Sequence, residues 1–268
     1  MKKYFFYSSF AILSSMPCIA QQNVLADTLS KNVGLNGKLY TALFQQKAAE
    51  YKALCIQSYN LARMCLDQSL QTGSPGKKAI ITDIDETVLD NSPYAVHQAL
   101  LGADYETISW RNWTKLSLAD TLAGALSFFR YAADKGVEIF YISNRDEKER
   151  EGTLQNLKKY GFPNADNTHL ILKQSESSKE SRRLTVAGKY EIILLLGDNL
   201  ADFSVLFDKK STEDRSRVVA EISKEFGKKF ILLPNSSYGD WESALYRYNY
   251  KLTPMQKDSV IKSSLKGY

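Results

Sequence analysis

Two short acidic stretches hold the residues best suited to chemistry. Asp83-Ile84-Asp85-Glu86-Thr87 ends the apolar run Ala79-Ile80-Ile81-Thr82, and Gly197-Asp198-Asn199-Leu200-Ala201-Asp202 ends Ile192-Ile193-Leu194-Leu195-Leu196. Asp83 and Asp85 are one residue apart, so on a strand their side chains point to the same side. Two carboxylates held that close repel, which favours a proton on one of them or a cation between them. Asp198 and Asp202 add acid from a second strand end. The chain has only two histidines, His97 and His169, and neither accompanies these acids. An all-oxygen donor set of this kind suits Mg2+. A lone aspartate after a strand is commonly a helix N-cap, but convergence of four is poorly explained that way.

The surrounding sequence supplies the elements that would position them. Short apolar runs recur at Val137–Ile142, His169–Leu172 and Phe230–Leu233, besides the two already named. Helical stretches separate several of them, over residues 121–135, 146–160, 178–188 and 214–226. Runs apolar on both faces and alternating with helices predict an α/β fold with a parallel, Rossmann-like sheet covered on both sides. Ligands of such sheets gather beyond the carboxyl ends of the strands. That rule selects the two acidic stretches, Ser143-Asn144-Arg145, the polar residues after Lys173, and Pro234-Asn235-Ser236-Ser237-Tyr238. Before the first strand, the spacing of Leu43, Ala48, Tyr51, Leu54, Cys55, Tyr59, Ala62 and Cys65 predicts a helix over 42–72, stopped by Gly73-Ser74-Pro75-Gly76.

The ordered set resembles the four motifs of the haloacid dehalogenase (HAD) superfamily of phosphotransferases. Asp83–Thr87 is similar to its DxDxT motif, Ser143 to its second motif, Lys179 to its third, and Gly197–Asp202 to the GDxxxD form of its fourth. Within that superfamily, Asp85–Tyr94, Ser143-Asn144-Arg145 and Tyr238-Gly239-Asp240-Trp241-Glu242 resemble the secreted, four-aspartate class C acid phosphatases of bacteria. The likeness runs from about residue 30 to 250. It implies a HAD-type sheet with a small, mostly helical cap insertion at about 91–118, preceded by N-terminal helices at about 27–72, in one domain over 27–268. It also implies an Mg2+-dependent acid phosphatase acting on phosphomonoesters, among them 5′- and 3′-nucleotides.

Roles follow from the same resemblance. Asp83 would be the nucleophile and Asp85 the general acid and base. The metal would sit on Asp83, Asp198 and the backbone carbonyl of Asp85, with Asp202 holding its waters or orienting its ligands. Ser143 and Lys179 would bind the phosphoryl group. Lys179 is preferred to Lys173 because Ser177 and Glu180 form an S-x-x-E helix start that places it in the first turn. Asn144, Arg145, Tyr94 and Tyr238 would contact the substrate, the tyrosines by stacking on a base. Trp113 and Trp241 read as core packing, His169 as a packed strand residue and His97 as lid surface. A binding protein for nucleotide or haem on the same fold, without turnover, is the alternative reading.

Composition narrows the class without adding chemistry. The 268 residues carry a net charge of +5 from 35 basic and 30 acidic residues, spread along the chain. That gives little support to a nucleic-acid polymer as partner and leaves a small anionic ester as the expected one. Lys2-Lys3, the apolar stretch Tyr4–Leu13 and the small residues before Gln21 have the layout of a signal peptide over 1–20. Export to the periplasm or medium is therefore expected, with a membrane anchor only if Cys18 is lipidated. Cys55 and Cys65, ten residues apart on one helix, stand roughly 15 Å from each other, too far for a disulfide. The resemblance suggests a homodimer. There is no RHG, HExxH or GxSxG motif, and Gly73–Lys77 is too short for a phosphate-binding P-loop.

Overall fold

The structure, a computed structural model, describes residues 32–71 and 76–268. The expected signal peptide, Cys18 and the Gly73–Pro75 break lie outside those residues. Five strands form one parallel sheet: β1 (Lys78–Thr82), β4 (Glu138–Asp146), β5 (Leu170–Lys173), β6 (Glu191–Gly197) and β7 (Phe230–Leu232). A two-residue antiparallel ribbon, β2 (Leu89–Asp90) with β3 (Asp120–Thr121), stands apart from it. The sheet order is β5-β4-β1-β6-β7. The chain leaves central β1 toward one edge, then returns to the other side of β1 with β6. That reversal makes a crevice between the carboxyl ends of β1 and β6, where the two acidic stretches emerge.

The alternation of side chains across the strands builds two cores. Ile80, Ile139, Tyr141, Leu194, Leu196 and Ile231 face one side; Ala79, Ile81, Phe140, Ile142, Leu195 and Phe230 face the other. On the first side lie α2 (Ala49–Gln71), α5 (Ala125–Asp134) and α6 (Arg150–Tyr160), through Cys55, Tyr59, Phe128, Phe129, Leu154 and Leu157. On the second side lie Val186 of α7 (Glu180–Ala187) and Phe203. Burial on both faces explains why these strands read as unbroken apolar runs.

Element boundaries depart from the periodicity in definite places. The helix expected over 42–72 is two helices, α1 (Val33–Lys47) and α2, divided at Ala48, whose backbone is extended (φ −81°, ψ 126°). The stretch at 121–135 opens with β3 and becomes helical only at Ala125. Residues 91–119 lie between β2 and β3 and contain α3 (Ser92–Leu100) and α4 (Thr107–Leu116). α8 (Thr212–Glu221), α9 (Asp240–Leu245) and α10 (Pro254–Ser264) complete the helices. Cys55 and Cys65 are buried free thiols on α2. His169 precedes β5 instead of lying within it, and its ring nitrogens meet Asp166 and Glu138 at 2.8 and 2.9 Å.

Candidate active site

Parallel pairing brings the acids together. Asp83 follows β1, and its N–H donates to Leu196 O at 2.9 Å, which ties the two strand ends. Carboxylate oxygens of Asp83, Asp198 and Asp202 all lie within 4.8 Å of one another. Asp202 returns to the site through the turn after β6, where its Oδ2 accepts from Asn199 N–H at 2.9 Å. That return requires Gly197, because a Cβ there would stand 2.4 Å from Asp202 Cβ and Oδ2. Thr87 Oγ1 donates to Asp198 Oδ1 at 3.3 Å and Asn235 Nδ2 to Asp198 Oδ2 at 2.7 Å, fixing its plane.

Lys179, at the start of α7, places Nζ 2.6 Å from Asp83 Oδ1 and 2.7 Å from Asp202 Oδ1. Lys173 ends β5 in register with Asp146. Lys179 is 5% exposed. Burial disfavours its ammonium, but Asp202 and Asp83 outweigh that and hold its pKa above the ordinary value. Burial pushes Asp83 up to about 7 even though Lys179 pulls it down. Asp198 is raised well above the ordinary range by burial and then by Asp202 and Asp83. Three clustered carboxylates, Asp202 buried and Asp83 and Asp198 partly buried, have one ammonium among them, so negative charge is left over at a point lined with oxygen. The site therefore fits a divalent cation.

Asp85 faces a different set of partners. Arg145 reaches its Oδ1 with Nη2 at 2.7 Å and Nε at 3.0 Å, and Asn91 Nδ2 reaches the same oxygen at 2.9 Å. Ser143, fully buried, lies 3.4 Å from Asp85 Oδ2 through Oγ. Arg182 donates to Ser143 O at 2.7 Å and to Asn144 Oδ1 at 2.6 Å, holding the carboxyl end of β4. Glu86 turns the chain with a left-handed backbone (φ 53°). Its buried carboxylate accepts from Asn91 N–H at 2.8 Å and from the Tyr238 hydroxyl. Burial, with Asp85 beside it, pushes Glu86 up to about 8.

Three expected substrate contacts occupy different places. Tyr238 keeps 36% of its surface exposed while its hydroxyl turns in to Glu86. Tyr94, by contrast, is 7% exposed, edge-on to Trp110 at 5.0 Å, with its hydroxyl 2.9 Å from Ser109 Oγ. That ring is thus packed inside the α3–α4 pair. Arg145 is likewise 3% exposed, bound to Asp85 and, through Nη1, to Thr153 Oγ1 at 2.9 Å. Its planar fork matches a carboxylate of the site. Asn144 is exposed. Trp113 packs against the core as expected, and its N–H donates to Asn91 at 2.8 Å. Trp241 is 45% exposed, not core.

Asn91, Asn235, Glu86 and Arg182 were not selected by residue type. Glu86 sits inside the first acidic motif, Asn91 four residues beyond it, Asn235 just after the last strand, and Arg182 on α7. Position at a strand end was the only signal for Glu86 and Asn235, and Arg182 carried none.

The comparisons with known proteins agree with this geometry. A model of the HAD superfamily, subfamily IIIB (acid phosphatase), matches residues 8–241. The class C acid phosphatase from Bacillus anthracis has a TM-score of 0.85 against this chain at 41% identity, covering 88% of this chain and 100% of that one. A second structure of that enzyme, with tungstate bound, matches equally, with 99% of its chain covered. Acid phosphatase 1 of Solanum lycopersicum is 27% identical over 143 residues, which are 50% of this chain and 55% of that protein. The chain thus spans about half the length of that curated relative. With a family match across most of its length and its acids at the switch point of the sheet, the chain belongs to subfamily IIIB of the HAD superfamily, the acid phosphatases.

Proposed function

We propose that the chain hydrolyses phosphomonoesters, with Mg2+ as cofactor and an aspartyl-phosphate on Asp83 as intermediate. The observation that carries this reading is the meeting of Asp83, Asp198, Asp202 and Lys179 at one point beyond β1 and β6. Asp83 has a carboxylate oxygen to offer phosphorus, and Lys179 restrains it while supplying charge to the phosphoryl oxygens. Mg2+ on the carboxylates of Asp83 and Asp198 and the backbone carbonyl of Asp85 would neutralise phosphoryl charge. Asp202 holds Lys179, and Ser143 would donate to a phosphoryl oxygen. Asp85 protonates the departing alkoxide and later takes a proton from the attacking water. The tungstate in the Bacillus anthracis relative is a tetrahedral oxyanion, which supports an oxyanion site in this fold.

The substrates proposed are 5′- and 3′-nucleotides, with the base lying against Tyr238. The α3–α4 pair serves as the lid, joined to the sheet domain by Arg111 Nε on Asp146 Oδ2 at 2.7 Å. Export rests on the charge and apolar pattern of residues 1–20; among the described residues no helix is long and apolar enough to cross a membrane. The test is release of phosphate from p-nitrophenyl phosphate and a nucleotide panel, with Mg2+ and with chelator. Turnover that chelator abolishes and Mg2+ restores is expected. Tight nucleotide binding without phosphate release would favour the non-catalytic reading instead.

A further inference from the structure

Asn91 is 2% exposed at the foot of α3, and its amide lies between two groups of opposite character. The Trp113 indole can only donate, and it reaches Asn91 Oδ1 at 2.8 Å. The Asp85 carboxylate, an acceptor when ionised, takes Asn91 Nδ2 at 2.9 Å. Those two partners fix which end of the amide faces each way. With Arg145 Nη2 and Nε at 2.7 and 3.0 Å, three N–H groups converge on Oδ1 of Asp85. Oδ2 has only longer contacts, 3.2 Å to Arg145 Nε and 3.4 Å to Ser143 Oγ. One oxygen is saturated, and the other is open to exchange a proton.

Building on the phosphatase reading above, we propose that Asn91, aimed by Trp113, is a positioning residue that works with Arg145 to occupy Oδ1 of Asp85, so that Oδ2 carries the proton. In the first step a bond forms between the Asp83 oxygen and phosphorus while the bond from phosphorus to the leaving oxygen breaks. The proton on Asp85 Oδ2 passes to that leaving oxygen. In the second step water attacks phosphorus, the Asp83–phosphorus linkage breaks, and a proton of the water returns to Oδ2. Trp113 belongs to α4 of the insertion, so a group outside the main sheet sets the aim of the acid. An aspartate at position 91 would face Asp85 with like charge, and an alanine would leave Oδ1 partly free and the carboxylate able to rotate.

A leaving-group comparison tests this directly. p-Nitrophenolate departs readily without a proton, whereas the alkoxide of glycerol 2-phosphate needs one. Because kcat/KM covers steps only through departure of that group, it isolates the act assigned to Oδ2. Asn91→Ala should lower kcat/KM for glycerol 2-phosphate by between about tenfold and a hundredfold, the range expected when a catalytic group is misplaced. The same variant should change p-nitrophenyl phosphate by less than about threefold. Trp113→Phe keeps an aromatic ring but loses the indole N–H together with the volume of the fused ring, so a packing loss would lower both esters equally, and the same selectivity between them at smaller size is the expected result. It decides the matter alone if Asn91→Ala fails to fold. Equal losses on both esters, or no loss on the alkyl ester, would overturn the proposal while leaving the phosphatase standing. A wild-type chain inert toward both esters, with Mg2+ present, would overturn the phosphatase reading itself.

Discussion

Asp85 has two opposite duties in the proposed cycle, giving a proton and then taking one, and its neighbours are arranged for a group that must stay put while its charge changes. Arg145 and Asn91 hold one oxygen, and neither needs to move when the other gains or loses a proton. Asp85→Asn preserves the shape and the backbone carbonyl but removes the exchangeable acid. It should reduce kcat by about 10²- to 10⁴-fold, the usual contribution of general acid–base catalysis, with KM and the Mg2+ requirement little changed. Steady-state kinetics with a magnesium titration checks this; loss of metal dependence would remove the backbone-ligand assignment. At this scale the sequence was informative about acids and poor about their partners. Asp83, Asp85, Asp198, Asp202 and Lys179 declare themselves by type and spacing. Arg145 does not, because a basic residue after a strand reads equally well as a phosphate contact or as the counter-ion of an acid sixty positions away.

At the scale of elements, two strand ends and one tight turn decide whether the acids meet. The ladder between β1 and β6 sets Asp83 beside Leu196, and the turn after β6 brings Asp202 back over Gly197. Gly197→Ala would drive a methyl group into Asp202, a clash of backbone-borne atoms that cannot relax by rotation of a flexible side chain. A destabilisation of about 1–3 kcal/mol is expected, together with a higher Mg2+ requirement because Lys179 loses its second carboxylate anchor. Thermal unfolding and a magnesium titration of the same variant measure both effects. The strands were legible because burial on both faces leaves a signature of consecutive apolar residues. The division at Ala48 was not, since either side of it keeps a helical spacing and the break lies in the backbone. The burial of Tyr94 was not legible for a related reason: sequence places an aromatic near a motif, but only packing shows how far it is covered.

The whole molecule carries two charge arrangements, at opposite ends of the sheet, that should respond differently to pH. At the carboxyl ends, burial raises Asp83 to about 7 and also raises Asp198. A carboxylate whose folded pKa is raised favours folding when protonated, so metal-free stability falls as pH rises from the ordinary aspartate range toward 7. A divalent cation removes that repulsion. The rise in Tm on adding Mg2+ to chelator-treated protein should therefore be small near pH 4.5 and larger near pH 7.5; scanning calorimetry at the two values tests it. An equal shift at both would contradict a metal held by these acids.

At the amino ends, His169 sits between Glu138 and Asp166, which hold its pKa up while it holds theirs down. The raised histidine stabilises below its unfolded pKa of about 6.5, and that contribution fades as pH rises through the folded value. The lowered carboxylates stabilise above about 4.5, fading as pH falls through their folded values. His169→Gln should therefore lower Tm most between about pH 4.5 and 6.5, with the gap narrowing by pH 8 and turnover little affected.

Everything in the proposed chemistry passes through a bond between Asp83 and phosphorus. Mixing the enzyme with a phosphomonoester and Mg2+, quenching in acid within one turnover and mapping the peptides by mass gives the most direct test. The expected result is a phosphoryl group on the peptide containing Asp83, lost on neutral hydroxylamine treatment and absent in Asp83→Asn. A phosphoryl group on another side chain, or full turnover by Asp83→Asn, would contradict the account.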